Sequence, residues 1–246
     1  MIKKVVFLGS KSIGLECLKI LYDNQLKYNY EIIGVLTDQK SEGIKHYSLK
    51  NNLKLLSSLD EYLSLSNINI TFSIQYPKIL NLNHIKKAKD LAINLHMGPL
   101  PEYRGCNQFT IAIIEEKKIF GTTIHKLEEG IDCGDILFES RFEIPKGCWV
   151  EELYEITYQK SLELLNKSLS DLISMNINPI PQASLVKERG SSLHYRDKIN
   201  KLKKIDLSWS KYEIEKYIRA TSMSGFEPPF VEIDGKKIFL KKGSYG

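Results

Sequence analysis

Long apolar runs are missing from the 246 residues. Nothing approaches the roughly 20 consecutive apolar positions that a membrane-spanning helix needs, which excludes a helical membrane protein. Met1-Ile2-Lys3-Lys4 leads directly into Val5-Val6-Phe7-Leu8, too short a stretch for a secretory signal core, so a cytoplasmic location is expected. Cysteine is sparse: Cys17, Cys106, Cys133 and Cys148 lack both the paired spacing of a zinc site and the density of a disulfide scaffold, and reduced thiols follow. Arginine is scarce too, only five among the 35 Lys and Arg. With a net charge of just +5, the composition gives little reason to expect nucleic acid as partner, whereas a local cluster of lysines would serve an anionic small molecule. What is present, 42% hydrophobic and 26% charged residues, excludes disorder and a collagen-like chain. It suits one domain with a small appendix.

The opening residues Lys3 to Leu8, then Gly9-Ser10-Lys11-Ser12-Ile13-Gly14, then Leu15, Leu18, Ile20 and Leu21 at helical spacing predict a buried strand, a turn and a helix. Further strands are expected over 31–38, 68–74 and 91–96, alternating with helical stretches, which points to right-handed βαβ units. After residue 96 the rhythm changes: 121–127 and 135–142 look like two strands joined by a Gly-rich turn. Val150, Leu153, Ile156, Leu162, Leu165, Leu169, Leu172 and Ile173 mark one long amphipathic helix over 149–174, stopped by Asn178-Pro179-Ile180-Pro181. A polar linker to Lys204, a short helix over 211–220 and a hairpin turning at Asp234-Gly235 complete the reading. The expected class is α/β: a Rossmann-like mixed, mostly parallel sheet flanked by helices over 1–182, with a small C-terminal extension over 183–246 that ends in a β-hairpin.

Three segments could carry chemistry. The turn Gly9 to Gly14 lacks the closing Gly-Lys-Ser/Thr of a phosphate loop and the full G-x-G-x-x-G of a dinucleotide fold, so an ordinary βα turn is the better reading. Asn94-Leu95-His96-Met97-Gly98-Pro99-Leu100-Pro101-Glu102-Tyr103-Arg104-Gly105 is denser. Positions two apart on a strand share a face, so Asn94 and His96 point together at the carboxyl end, where open α/β sheets bind ligands. Pro99 and Pro101 make the loop beyond them extended and rigid. In Glu128-Glu129-Gly130-Ile131-Asp132-Cys133-Gly134-Asp135 the pattern is not that of a calcium loop. Asp132 either folds a turn through its side chain or stands beside His96 and fixes its tautomer.

Asn94-x-His96, Leu100-Pro101-x-Tyr103-Arg104-Gly105 and Gly130-Ile131-Asp132-x-Gly134-Asp135 resemble the signature of the 10-formyltetrahydrofolate-dependent formyltransferases. Ile205-Asp206-Leu207-Ser208-Trp209 with Ile218-Arg219-Ala220 is similar to the start of that family's C-terminal part. The resemblance implies a catalytic triad of Asn94, His96 and Asp132, with no metal. It implies a folate site between two loops, carrying Gln75, Lys78, Ile79 and Leu80 on one side and Glu128, Glu129, Gly130, Ile131 and Asp132 on the other. In such a reaction an amine attacks the formyl carbon. Charge on the formyl oxygen is stabilised by the Asn94 amide or protonated His96, and His96 with Asp132 takes the amine's proton.

Family members differ in the amine they formylate. By this resemblance the basic insertion and full C-terminal barrel of the tRNA enzymes are expected to be missing or cut short here, and the whole chain is most similar to the sugar nucleotide N-formyltransferases, in particular those acting on dTDP-4-amino-4,6-dideoxyglucose for surface polysaccharide (O-antigen) synthesis. Candidate contacts to such an acceptor are Ser10, Lys78, Tyr103, Arg104, Gln108, Lys187, Tyr195, Arg196 and Lys198, which could pair with phosphate or stack on a base; for Lys187, Tyr195, Arg196 and Lys198 a solvated or packing role is as good a reading. A methionyl-tRNA formyltransferase-like enzyme and a non-catalytic folate or nucleotide sensor are the alternatives. Too few strands cover the apolar face of the terminal hairpin, so a homodimer through it is expected.

Overall fold

Val5, Val6, Phe7 and Leu8 are each fully buried, because side chains on both faces of their strand are covered, as a central parallel strand requires. The computed structural model describes residues 2–240. Strands β1 (Lys3–Gly9), β2 (Tyr30–Thr37), β3 (Ile70–Ile74) and β4 (Leu91–His96) pair in parallel in the order β2-β1-β3-β4. The two-residue β5 (Arg104–Gly105) lies outside this sheet, and β6 (Ile119–Lys126) and β7 (Ile136–Glu143) extend it antiparallel from β4. The mixed, mostly parallel six-stranded sheet expected from the strand spacing is therefore present, and β4 is where its direction changes.

One face of the sheet is covered by α1 (Lys11–Asp23), α3 (Glu42–Lys50) and the 25-residue α7 (Val150–Ser174). Phe7, Leu18, Ile93, Leu165, Leu169 and Leu172 meet there in one apolar cluster. The short α2 (Gln25–Tyr28) leads into β2, and α4 (Leu59–Ser64) and α5 (Leu82–Ile85) flank the opposite cluster of Val6, Leu8, Leu36, Tyr62 and Ile68. A third cluster joins α6 (Gln108–Ile114), α7 and α10 (Lys211–Thr221) through Ala112, Phe120, Leu153 and Ala220. Among the described residues no helix is long and apolar enough to cross a membrane.

Two local expectations change. The Pro99–Tyr103 loop is a turn, not an extended segment: the Tyr103 amide donates to the Pro99 carbonyl at 3.0 Å, and the Leu100–Pro101 peptide is cis. The stretch read as a polar linker holds helix α8 (Gln182–Arg189), then β8 (Leu193–His194) and α9 (Ile199–Leu202). Strand β8 pairs in parallel with β5, and Ile180 bridges Ile136. The terminal hairpin of β9 (Phe230–Ile233) and β10 (Lys236–Phe239) forms as expected. Asp234 and Gly235 both take positive φ, 49° and 74°, the geometry of the tight turn favoured by right-twisted strands.

Candidate active site

Asn94 and His96 end β4 with Ile93 and Leu95 fully buried behind them, as strand alternation dictates. The antiparallel register sets His125 of β6 directly across from Asn94. From β6 the chain loops out and back to β7, and Asp132, at φ 47°, carries its carboxylate into the space between these residues. Its Oδ2 accepts the Gly105 amide at 2.9 Å and lies 3.5 Å from His96 Nδ1. Its Oδ1 accepts from Asn94 Nδ2 at 3.3 Å and lies 3.4 Å from His125 Nε2.

Hydrogen bonding to backbone carbonyls sorts the two imidazoles. His96 Nε2 is 2.7 Å from the Tyr103 carbonyl and must donate to it, which leaves Nδ1 for Asp132. His125 Nδ1 donates to the Lys126 carbonyl at 2.7 Å. Its Nε2, as the lone-pair nitrogen of that tautomer, accepts from Asn94 Nδ2 at 3.1 Å. Both Asn94 amide hydrogens are thus engaged within the protein. Burial raises the Asp132 carboxyl, but the His96 imidazole beside it and the Gly105 amide outweigh burial and hold the group below the ordinary aspartate range. An ionised carboxylate is what this site keeps at neutral pH. Glycine is required at two supporting points: a Cβ on Gly105, at φ 86°, would strike the His194 carbonyl, and one on Gly98 would sit 2.8 Å from His96 Nε2.

Beside this group lies a cavity of about 140 Å³, lined by Ser73, Tyr76, Lys78, Ile79, Leu80, Asn94, His125, Leu127, Glu128, Gly130, Ile131, Asp132 and Cys133. Seven of the nine residues expected for the folate site line it. The two others stand aside: Gln75 Oε1 accepts from Lys11 Nζ at 2.9 Å, and the Glu129 carbonyl accepts from the Cys133 thiol at 3.4 Å. Among the described residues no group of three or more His, Cys, Asp or Glu is placed to hold a metal ion.

The residues expected to meet an acceptor are more dispersed. Lys78 borders the cavity. Ser10 is buried and donates to the Gln75 carbonyl. Tyr103 is buried with its hydroxyl on Glu115 at 2.6 Å, so its side chain packs and its carbonyl serves His96. Gln108 donates to the Met97 carbonyl at 3.2 Å, while Arg104 Nε is buried without a partner. Lys187, Tyr195, Arg196 and Lys198 are exposed. Arg196 nevertheless stands close enough to Lys11 that, after burial itself, its charge is the next cause lowering the Lys11 ammonium below the ordinary lysine range. Sequence reasoning missed three residues: His125, which needs the β4–β6 register; Lys11, which sat inside the Gly9 to Gly14 turn; and Gln182, whose amide donates to the carbonyls of Asp132 and Gly134.

The chain has counterparts among known proteins. The N-formyltransferase from Helicobacter canadensis, solved with folinic acid and dTDP-3-aminofucose, matches with a TM-score of 0.79 and 25% identity over 97% of this chain and 86% of its own. WlaRD, a sugar 3N-formyl transferase solved with dTDP and 5-N-formyl-THF, matches with 0.79 and 26% over 97% and 85%. By sequence, the methionyl-tRNA formyltransferase of Clostridium novyi (strain NT) is 29% identical over 97% of this chain and 79% of its own length. The bifunctional polymyxin resistance protein ArnA of Wigglesworthia glossinidia brevipalpis is 33% identical over 68% of this chain, which spans only 27% of that longer protein. The model of the formyl transferase family matches residues 36–169, more than half the chain. The chain belongs to the formyl transferase family.

Proposed function

We propose that this formyltransferase moves a formyl group from 10-formyltetrahydrofolate to the amine of a nucleotide-linked amino sugar, with dTDP-4-amino-4,6-dideoxyglucose as the acceptor to test first. The carrying observation is the convergence of Asn94, His96 and Asp132 on one point beside a cavity walled by the 73–80 and 128–133 loops. That cavity has the size of one fused bicycle, with apolar walls from Ile79, Leu80, Leu127 and Ile131 and polar groups from Ser73, Asn94 and Asp132, which suits a pterin head. When bound there, the folate supplies an activated formyl carbon. The protein's own residues do the rest. Asn94 Oδ1, left over once Nδ2 is engaged, accepts from the incoming amine and aims it. A proton leaving the amine enters the His96–Asp132 pair, which titrates as a unit. The resulting positive imidazole, fixed by the Tyr103 carbonyl, faces the charge that develops on the formyl oxygen, and it returns the proton to the folate nitrogen as that nitrogen's bond to the formyl carbon breaks and tetrahydrofolate leaves.

The pairing of Lys11 with Arg196 supports a diphosphate-bearing acceptor. Lys11, its ammonium lowered by burial and by the charge of Arg196 while Cys106 and Asp38 act the other way, offers with Arg196 two cations to a diphosphate at the carboxyl end of β1, and the neighbouring Tyr195, 51% exposed, offers a ring for a base. Similarity over 97% of the chain to two sugar formyltransferases, one solved with dTDP-3-aminofucose and the other with dTDP, supports a nucleotide-linked amino sugar as the class of acceptor. The reading places the enzyme in the cytoplasm, in surface polysaccharide synthesis, and its four cysteines are free. It is also read as a homodimer. Phe230 and Val231 are covered by their own chain, while Ile233 and Ile238, which share the Val231 face of the hairpin, are 46% and 49% exposed, an apolar edge fit for a twofold contact. The test is turnover with 10-formyltetrahydrofolate against a panel of amino sugar nucleotides and charged initiator tRNA, read as release of tetrahydrofolate. Release with a sugar nucleotide alone supports the proposal; release only with the tRNA overturns the acceptor.

A further inference from the structure

Asp132 is gripped at both ends by a segment that follows the long helix α7. Its carbonyl accepts from Gln182 Nε2 at 2.8 Å, and the same nitrogen donates to the Gly134 carbonyl at 2.8 Å. Gln182 is only 7% exposed, so those carbonyls have no water to turn to when the amide is removed. The carboxylate end is held indirectly. Its partner amide belongs to Gly105, in β5, and β5 stays in place through β8: the Arg104 amide donates to the Ser192 carbonyl at 3.0 Å and the Cys106 amide to the His194 carbonyl at 2.8 Å. The Ser192 hydroxyl also donates to the Glu102 carbonyl. Between the two grips, Arg189 of α8 reaches Glu139 of β7 at 3.1 Å, and the backbone of Ile180 exchanges hydrogen bonds with Ile136 at 2.8 and 2.9 Å.

We infer that residues 180–194 are a strap that sets the position of the Asp132 carboxylate, and that Gln182 is a positioning residue for formyl transfer. Asp132 sits at positive φ, a conformation that costs an L-residue energy, though less for Asp than for most. The Gln182 amide helps hold it here, bridging the carbonyls on either side of Cys133. Catalysis is sensitive to this, because a displacement of about 1 Å at a reacting group costs on the order of 100-fold in rate, and Oδ2 has to stay within reach of both His96 and Gly105. The inference rests on the reading of Asn94, His96 and Asp132 as the catalytic group.

The experiment uses the full chain and its best acceptor from the panel above. Turnover by the wild type is the gate: without it, the reading of the site has failed and the strap is not at issue. Given turnover, Gln182→Met, close in size but without a donor, is expected to lower kcat by about 30- to 100-fold. The Kd for 5-formyltetrahydrofolate, from titration calorimetry, should rise less than about fivefold, because Leu80, Leu127 and Ile131 still wall the cavity. Hydrogen exchange should quicken in the 130–135 loop. Gln182→His, which keeps one donor, is expected to fall between and serves if the Met variant does not accumulate. In an Asp132→Asn background, Gln182→Met should cost less than threefold more, since residues acting as a unit do not multiply. A kcat within threefold of wild type, a folate affinity that falls as much as kcat, or full multiplication of the two losses would each overturn the inference.

Discussion

Replacing Asp132 by Asn changes charge while keeping shape, and the structure says what each consequence should be. Asn can still accept the Gly105 amide now received at 2.9 Å by Oδ2, but its own amide then takes the place of Oδ1, which accepts from Asn94 Nδ2 at 3.3 Å, so that one contact is lost. What it cannot do is share a proton with His96. The loss of one partner in acid–base catalysis costs about 10²- to 10⁴-fold in kcat, or about 2.7 to 5.4 kcal/mol of transition-state stabilisation. Stability at pH 7 should change far less. The variant gives up an attraction to His96, but it no longer buries a carboxylate of which 16% remains exposed. A net change of about 1 kcal/mol moves Tm by roughly 2–4 °C in a chain of this size. The pH dependence carries the sign. Because the folded carboxyl lies below its unfolded value of about 3.9, Asp132 contributes stability that is fully present above that value and lost as pH falls through the folded one. The stability difference between wild type and Asp132→Asn should therefore be constant from neutral pH to about 5 and shift in favour of the variant below about 4. Stopped assays of kcat and denaturant titrations at several pH values measure both. A kcat within tenfold of wild type, in a protein that binds folate normally, would refute the role assigned to the carboxylate.

His125→Ala removes the acceptor that orients Asn94 Nδ2 and should reduce kcat by about 10- to 100-fold with little change in acceptor KM; an effect confined to KM would show that His125 contacts substrate instead. Lys11→Gln and Arg196→Gln should each raise the KM of a nucleotide acceptor by about 10- to 100-fold, the worth of a charge-assisted hydrogen bond, and steady-state kinetics in which neither KM moves would remove the diphosphate from that end of β1. Ile238→Asp, on the exposed face of the hairpin, should convert dimers to monomers in light scattering at micromolar concentration with kcat retained, and a wild type already monomeric there would reject the dimer.

The sheet was legible because its signals are local. Val5 to Leu8 and Leu91 to His96 are continuous buried strands, α7 shows its apolar stripe over 25 residues, and Asp234-Gly235 carries its own turn chemistry. Asn94 and His96 were legible as a pair for the same reason, since two-residue spacing already puts them on one face. The Pro99 to Tyr103 loop misled because two prolines suggest extension, whereas the Tyr103 amide closes a turn onto the Pro99 carbonyl. Helix α8 was invisible to periodicity: its buried residue is Gln182, a polar side chain placed there to bond carbonyls and not to pack. His125 needed the β4–β6 register, and the pairing of β5 with β8 joins segments that nothing in the intervening sequence announces.

That contrast bears on where the domain ends. A boundary at residue 182 follows the change in composition, since the polar, lysine-rich stretch begins there, yet it runs through the hydrogen bonds that hold Asp132. The family match over residues 36–169 likewise takes in Asn94, His96, His125 and Asp132 and leaves out Gln182, Ser192 and His194. The side chains proposed to carry the chemistry thus sit within one stretch, while the groups that hold one of them in place come from the next. A chain cut after Pro181 loses the hairpin, the β5–β8 pairing and the Gln182 amide in one step. Loss of activity in such a truncation could not be assigned to dimer dissociation, because both grips on the carboxylate leave with the seam. Ile238→Asp and Gln182→Met separate the two: the first opens the seam with the strap intact, and the second loosens the strap with the seam intact.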